Sequence, residues 1–268
     1  MRRLLVVCLV SLVAVSARGQ EKQSSEKEPV HKGKTLSTWL RDLKDKDPDT
    51  RQRAAQALGY MRQRSRTVVP ALVEAIHDQD YQVREEAVVA LGHLGARAKS
   101  AVPVLIEALK DKDAGVRERS ADALGKIGCE DENVIPALID ALKEKDVRSH
   151  AARALGGFGS QAKAAVPALI DMARQGMPQD SEGPPEPAPA KGKRAKSVVR
   201  VAAIKALEGI GPDAKEAVPL LTQFSKDKDE KVREAAREAL KKIAPDSSDA
   251  VKNGRSDKKD GGGESPPR

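Results

Sequence analysis

Aromatic side chains are nearly missing from this chain. One Trp, two Tyr and two Phe make up 2% of 268 residues. A single deep core usually draws on rings, since each buries about 150–250 Å². So few of them exclude such a core and leave Leu, Val, Ile and Ala to pack thin layers. Cysteine is scarce as well: Cys8 and Cys129 are the two present. No CxxC occurs, and no two of His31, His77, His93 and His150 stand i, i+4 on a helix, so neither a zinc ribbon nor a helical zinc site is encoded. There is no P-loop and no GxSxG. No catalytic set, metal or cofactor is expected, and the chain reads as a non-enzyme. Long apolar runs are also lacking. The longest, Leu4–Val15, falls short of the ~20 residues that cross a bilayer as a helix.

What the chain has is repetition. From Thr67 to Gly95 an apolar spacing of helical type (Val69, Leu72, Val73, Ile76) is followed by a polar break, HDQD, and a second helical stripe (Val83, Ala87, Ala90, Leu91, Leu94). Thr67 stands where a capping side chain is expected, with Ser100 and Asn133 in register, and Pro70 falls in the first turn. Asp80 is placed to cap the second helix, and Gly95 to end it. The Val-Pro or Ile-Pro pair returns at Pro103, Pro136, Pro167 and Pro219, and the arginine that opens the second helix at Arg51, Arg84, Arg117, Arg148, Arg200 and Arg233. The first steps are 33 residues; the fourth unit is two shorter, and the fifth is lengthened. A helix hairpin with one oily face cannot bury that face alone, so stacked copies are required.

The unit (V)PxLxxALxDxDxxVRxxAaxALGxxG resembles the HEAT repeat, in the short bacterial form shared with phycobilin-lyase-like repeat proteins. The resemblance covers Thr35 to Ser247 and implies an all-α fold, an α-α superhelix (HEAT/armadillo-type solenoid) of about six helix-hairpin repeats, with no strand along the rod. The units are expected at 35–66, 67–99, 100–132, 133–163, 164–216 and 217–247. In HEAT proteins aspartate and arginine columns form a ladder between neighbouring turns. The resemblance assigns that structural role to Asp47 and Arg51, Asp80 and Arg84, Asp113 and Arg117, and Asp229 and Arg233. In the fourth unit Asp146 and Arg148 are two residues apart, so the ladder is expected to be disturbed there. Trp39 occupies the column of Leu72 and Leu105, where a ring can cover the open end of the stack. The second glycine of the helix end, as at Gly92, is expected to permit close approach of the next repeat.

The flanks differ in composition. Two arginines, the apolar run and the small residues Val15-Ser16-Ala17 read as a signal peptide over 1–19, cleaved after Ala17 or Gly19. That predicts an exported chain, periplasmic or extracellular, touching a membrane through an uncleaved signal if at all. Residues 20–34 read as a disordered tether, 174–197 as a flexible insertion in the fifth unit, and 248–268 as a disordered tail. The net charge of +8 is concentrated outside the repeats: residues 35–173 hold 21 basic and 21 acidic groups. A neutral rod argues against a nucleic-acid ligand.

In HEAT stacks the second helices line the concave side. The columns expected to face outward there are Arg53, Glu86, Arg119 and His150; Gln56, Val89, Asp122, Arg153 and Lys205; and Tyr60, His93, Lys126 and Lys242. Their mixed charge suits a protein partner. Arg53, Tyr60, Glu86, His93, Arg119, Lys126, His150, Arg153 and Lys205 are the candidate contacts. The function expected is an exported scaffold that binds a protein through this face. The alternatives are a phycobilin-lyase-like enzyme or chaperone subunit, and a structural component of the cell envelope.

Overall fold

The computed structural model describes residues 30–175 and 190–245, with the backbone alone for 190–196. The signal segment 1–19 and the tail 248–268 lie outside the described residues. Six helix pairs follow in order: α1 (Leu36–Asp42) and α2 (Pro48–Gly59), α3 (Ser65–Ala75) and α4 (Tyr81–Leu94), α5 (Val102–Ala108) and α6 (Ala114–Ile127), α7 (Val134–Ala141) and α8 (Arg148–Gly157), α9 (Val166–Arg174) and α10 (Ala190–Ile210), α11 (Val218–Phe224) and α12 (Glu230–Ile243). Each second helix packs along the next, whereas successive first helices meet much less closely. The more closely spaced row lies on the inside of the curve, which puts α2, α4, α6, α8, α10 and α12 on the concave side. One continuous aliphatic core runs the length of the stack, and Leu58, Leu72, Leu91, Leu105, Leu124, Leu138, Leu155 and Leu169 are fully buried in it.

Glycine sets the closeness of the second helices. A Cβ at Gly59 would lie 2.8 Å from the Ala90 Cα, one at Gly125 3.1 Å from that of Ala154, and one at Gly156 2.9 Å from that of Ala206. Gly92 makes the same approach to Ala123, at 3.2 Å. In the fifth unit this column holds Glu208, and in the sixth, the last among the described residues, Lys241.

Asp47, Asp80, Asp113 and Asp229 each accept a backbone N–H at the start of their own second helix. The ladder carboxylates are therefore not these four. Arg51 grips Asp78 through Nε and Nη2 at 2.7 and 2.8 Å, and Arg84 grips Asp111 at 2.9 and 2.9 Å. Arg117 pairs with Asp146, and Arg200 with Asp227 at 3.3 Å. Each of these aspartates belongs to the following unit. Asp78 and Asp111 stand two residues before the capping aspartate and accept its N–H at 2.9 and 2.8 Å. Nη1 of Arg51, Arg84, Arg117 and Arg233 donates to two carbonyls of the arginine's own turn. The shortened fourth unit keeps its rung by giving up its cap. Asp146 is taken by Arg117, and Val147, which precedes α8, makes no side-chain cap. Arg148 then finds the neutral Gln175 at 3.0 Å, and its Nε is buried without a partner.

Four expectations are corrected. The last residues of the supposed tether form a hairpin, β1 (Val30–His31) with β2 (Lys34–Thr35), so strands do occur at the N-terminal end of the rod. Lys32 and Gly33 form its turn, both with positive φ (47° and 77°), as a two-residue hairpin turn of the I′ kind requires. The helix expected to begin after Ser197 starts at Ala190, in a run of good helix formers. Thr67, Ser100 and Asn133 do not cap: α3 starts earlier, at Ser65, and runs through Pro70. Before α5, α9 and α11 a 3₁₀ turn leads directly into the helix, and the Asn133 side chain, which precedes α7, donates to Asp131 Oδ1 at 3.2 Å and does not cap the helix. The backbone of such a turn supplies bonds that a capping side chain would otherwise make; Val102 N–H, for example, donates to Lys99 O. Gln20–Pro29 of the tether and residues 176–189 of the insertion lie outside the described residues.

Trp39 is buried at the N-terminal end, as its column suggested, and is itself covered. Its Nε1 donates to His31 O at 3.0 Å, and the Lys34 ammonium stands 4.6 Å above the ring. Lys34 Nζ also meets the buried Asp42 at 2.7 Å. Cys129 is buried. No helix among the described residues is long and apolar enough to cross a membrane.

Candidate functional site

The middle of the concave side carries two adjoining grooves. The first, about 360 Å³, lies over α2, α4 and α6; the second, about 530 Å³, lies over α6 and α8. Arg119, Asp122 and Lys126, on one face of α6, line both.

Of the expected contacts, Tyr60, Glu86, His93, Arg119 and Lys126 line the first groove, and Arg119, Lys126, His150 and Arg153 the second. Arg53 and Lys205 line neither. Arg53 is folded back on its own helix, with Nε donating to Asp49 O at 2.9 Å. Lys205 is exposed further along, on α10.

Most of the charges here are already paired across neighbouring helices. Arg119 Nε donates to Glu85 Oε1 at 3.0 Å, which raises the arginine pKa further. Arg153 Nη2 donates to Asp122 Oδ1 at 2.7 Å, and the same oxygen lies 3.1 Å from His150 Nδ1. The other ring nitrogen of His150 lies 3.6 Å from Glu118. Sequence reasoning missed Glu85 and Glu118. Their signal is faint, because a partner one period on and displaced by one residue looks like any other surface charge.

Glu86 differs from its neighbours. It is half-buried, and its pKa is raised, first by burial and then by Glu85, against the pull of Arg119 and Lys32. The ring of Tyr60 lies 5.5 Å from His93 on one side and stacks on His31 of the hairpin at 5.5 Å on the other. Burial, and then Lys126, lower the His93 pKa, so its imidazole is neutral at pH 7. The face thus offers fixed charges of both signs, one aromatic platform, and the exposed Lys126. Among the described residues no His, Cys, Asp and Glu side chains are grouped to hold a metal ion.

Comparison with known proteins agrees with this architecture. The HEAT repeats model matches residues 36–99, 94–146 and 193–258, and the PBS lyase HEAT-like repeat matches 147–175. No curated protein matches significantly. Among solved structures, yeast importin-beta is 16% identical with a TM-score of 0.63, covering 78% of this chain and 30% of its own. A designed armadillo repeat protein in complex with the peptide (KR)4 is 18% identical with a TM-score of 0.55, over 78% of this chain and 99% of its own. An engineered protein is 22% identical with a TM-score of 0.54, over 78% and 96%. At these identities the likeness is one of fold: a HEAT/armadillo solenoid. With its repeats matched over more than half its length, the chain belongs to the HEAT-repeat family.

Proposed function

We propose that this chain is an exported, non-catalytic scaffold that holds a protein partner along its concave second-helix face. The observation that carries this reading is the pair of adjoining grooves at α6, where charges of both signs are fixed by cross-helix bonds. Fixed charges favour partner selection, because a wrong partner meets like charge that cannot swing away. Repeat-protein neighbours that hold peptides support the reading. Capture of an extracytoplasmic partner by the full chain, compared with Arg119→Glu/Arg153→Glu, tests it. Binding should fall at least tenfold in the double variant while helicity is retained. Undiminished capture by the variant would reject this face.

Export rests on the leader. N-terminal sequencing of the secreted protein should begin at Arg18 or Gln20. A product retained in the cytosol with Met1 intact would remove that part. The match of residues 147–175 to the PBS lyase HEAT-like repeat motivates a second reading, a lyase-like enzyme. A chromophore co-purifying with the chain would favour it over the scaffold.

A further inference from the structure

The arginine ladder does not end where the rod ends. Arg51 and Arg84 each use Nη1 to clamp two carbonyls of their own turn and present Nε and Nη2 to an aspartate of the next unit. Arg233 is set in the same way, with Nη1 donating to Asp227 O at 2.9 Å and to Lys228 O at 2.8 Å. No unit follows it. Among the described residues the Nε/Nη2 edge of Arg233 meets no carboxylate. It is a guanidinium fork already oriented, at the C-terminal end of the described rod.

The filled rungs state what that occupant looks like. Asp78, Asp111 and Asp227 each sit in a tight turn in which Oδ1 accepts the backbone N–H two residues on, at 2.9, 2.8 and 2.8 Å. All three lie in Asp-x-Asp segments, whereas the rung at Asp146, in the shortened fourth unit, is followed by Val147 and Arg148. The fork therefore takes an aspartate whose carboxylate is held by its own turn, and such pre-orientation lowers the ordering cost of a bidentate bond. We propose that Arg233 is a docking point for an exposed Asp-x-Asp turn of a separate protein, which would extend the ladder by one rung across an intermolecular contact. This surface is at the end of the rod, apart from the concave grooves, so the two proposals fail independently.

A second copy of the chain is the obvious competitor, since Asp45 offers the same turn, accepting Asp47 N–H at 2.9 Å. One feature opposes it. At the other end the core of the first unit is already covered: Ala57 is 1% exposed, and Trp39 is 6% exposed beneath the hairpin.

The test is a titration of the ¹⁵N-labelled full chain with a synthetic peptide of residues 109–116, which contains the Asp111 turn, followed by arginine Nε–H resonances. Arg51 and Arg84 give the position of a filled fork. The Arg233 resonance should move toward theirs and saturate. The Asp111→Asn peptide should bind about tenfold more weakly, as should Arg233→Lys, which keeps the charge and loses the fork. An unmoved Arg233 resonance, or equal binding of the Asn peptide, would overturn the proposal. So would a resonance already at the filled position in the free chain, which would mean that the chain's own tail occupies the fork. Concentration-dependent self-association that Asp45→Asn abolishes would equally replace the separate protein with a second copy.

Discussion

Arg84 shows how much one side chain does here. It is 4% exposed, ties its own turn at Asp78 O and Gln79 O, and reaches the next unit at Asp111. Removing it strands a largely buried carboxylate and two carbonyls. Arg84→Ala should cost about 3–5 kcal/mol, read as a fall in urea midpoint at unchanged slope. Arg84→Lys should recover little of this, since a single ammonium cannot serve four acceptors in a plane. Glu86 should respond in the opposite direction. Its raised pKa means that its charge is a burden in the folded state at pH 7. Glu86→Gln should raise the thermal midpoint by about 1–3 °C, and a fall instead would show an unrecognised partner for the carboxylate.

At the scale of the helix pair, each unit leans on its neighbours alone, so damage should stay local. The first unit is the sharpest case, because one face of it is covered by the hairpin and not by another pair. Trp39→Ala should cost about 3–5 kcal/mol. Hydrogen exchange should quicken in α1 and α2 while α10 and α12 keep their protection; uniform loss would mean that the rod melts as one body. The helix pairs and their arginines were legible in the sequence, because a column recurring every 33 residues marks a repeat. The choice of ladder acid was not. Asp78 and Asp80 recur with the same period, and periodicity cannot tell the carboxylate that caps its own helix from the one that meets the next unit. Likewise, the column of Thr67, Ser100 and Asn133 was visible, but the earlier start of α3 at Ser65 and the 3₁₀ entry to α5 at Ser100 were not. The hairpin has two-residue strands, too short for any alternation to register, although Gly33 marked its turn. Of the concave face the columns were readable, while the grooves depend on which charges pair across helices, as Glu85 does with Arg119.

For the whole molecule the ladder makes acid the weak direction. Burial pushes the Asp78 and Asp111 carboxyls upward, but the bonds from Arg51 and Arg84, the backbone N–H of Asp80 and Asp113, and nearby positive charge outweigh it, leaving both below the ordinary value. Asp146 follows the same pattern beside Arg117. A carboxyl with a depressed folded pKa adds stability that is complete above its unfolded pKa, near ~3.9, and is lost as pH falls through the folded value. The urea midpoint should therefore change little on this account from pH 7 to about 5 and drop steeply below about 4. Glu86 works against the trend, since its protonation on the way down relieves a strain, but one half-buried group cannot offset Asp78, Asp111 and Asp146 together. Asp111→Asn should be less stable than the parent at pH 7 and show a shallower acid decline, because the group that titrates has been removed. Parallel declines for the two proteins would mean that acid acts elsewhere, and that the rungs joining unit to unit do not set the pH limit of the rod.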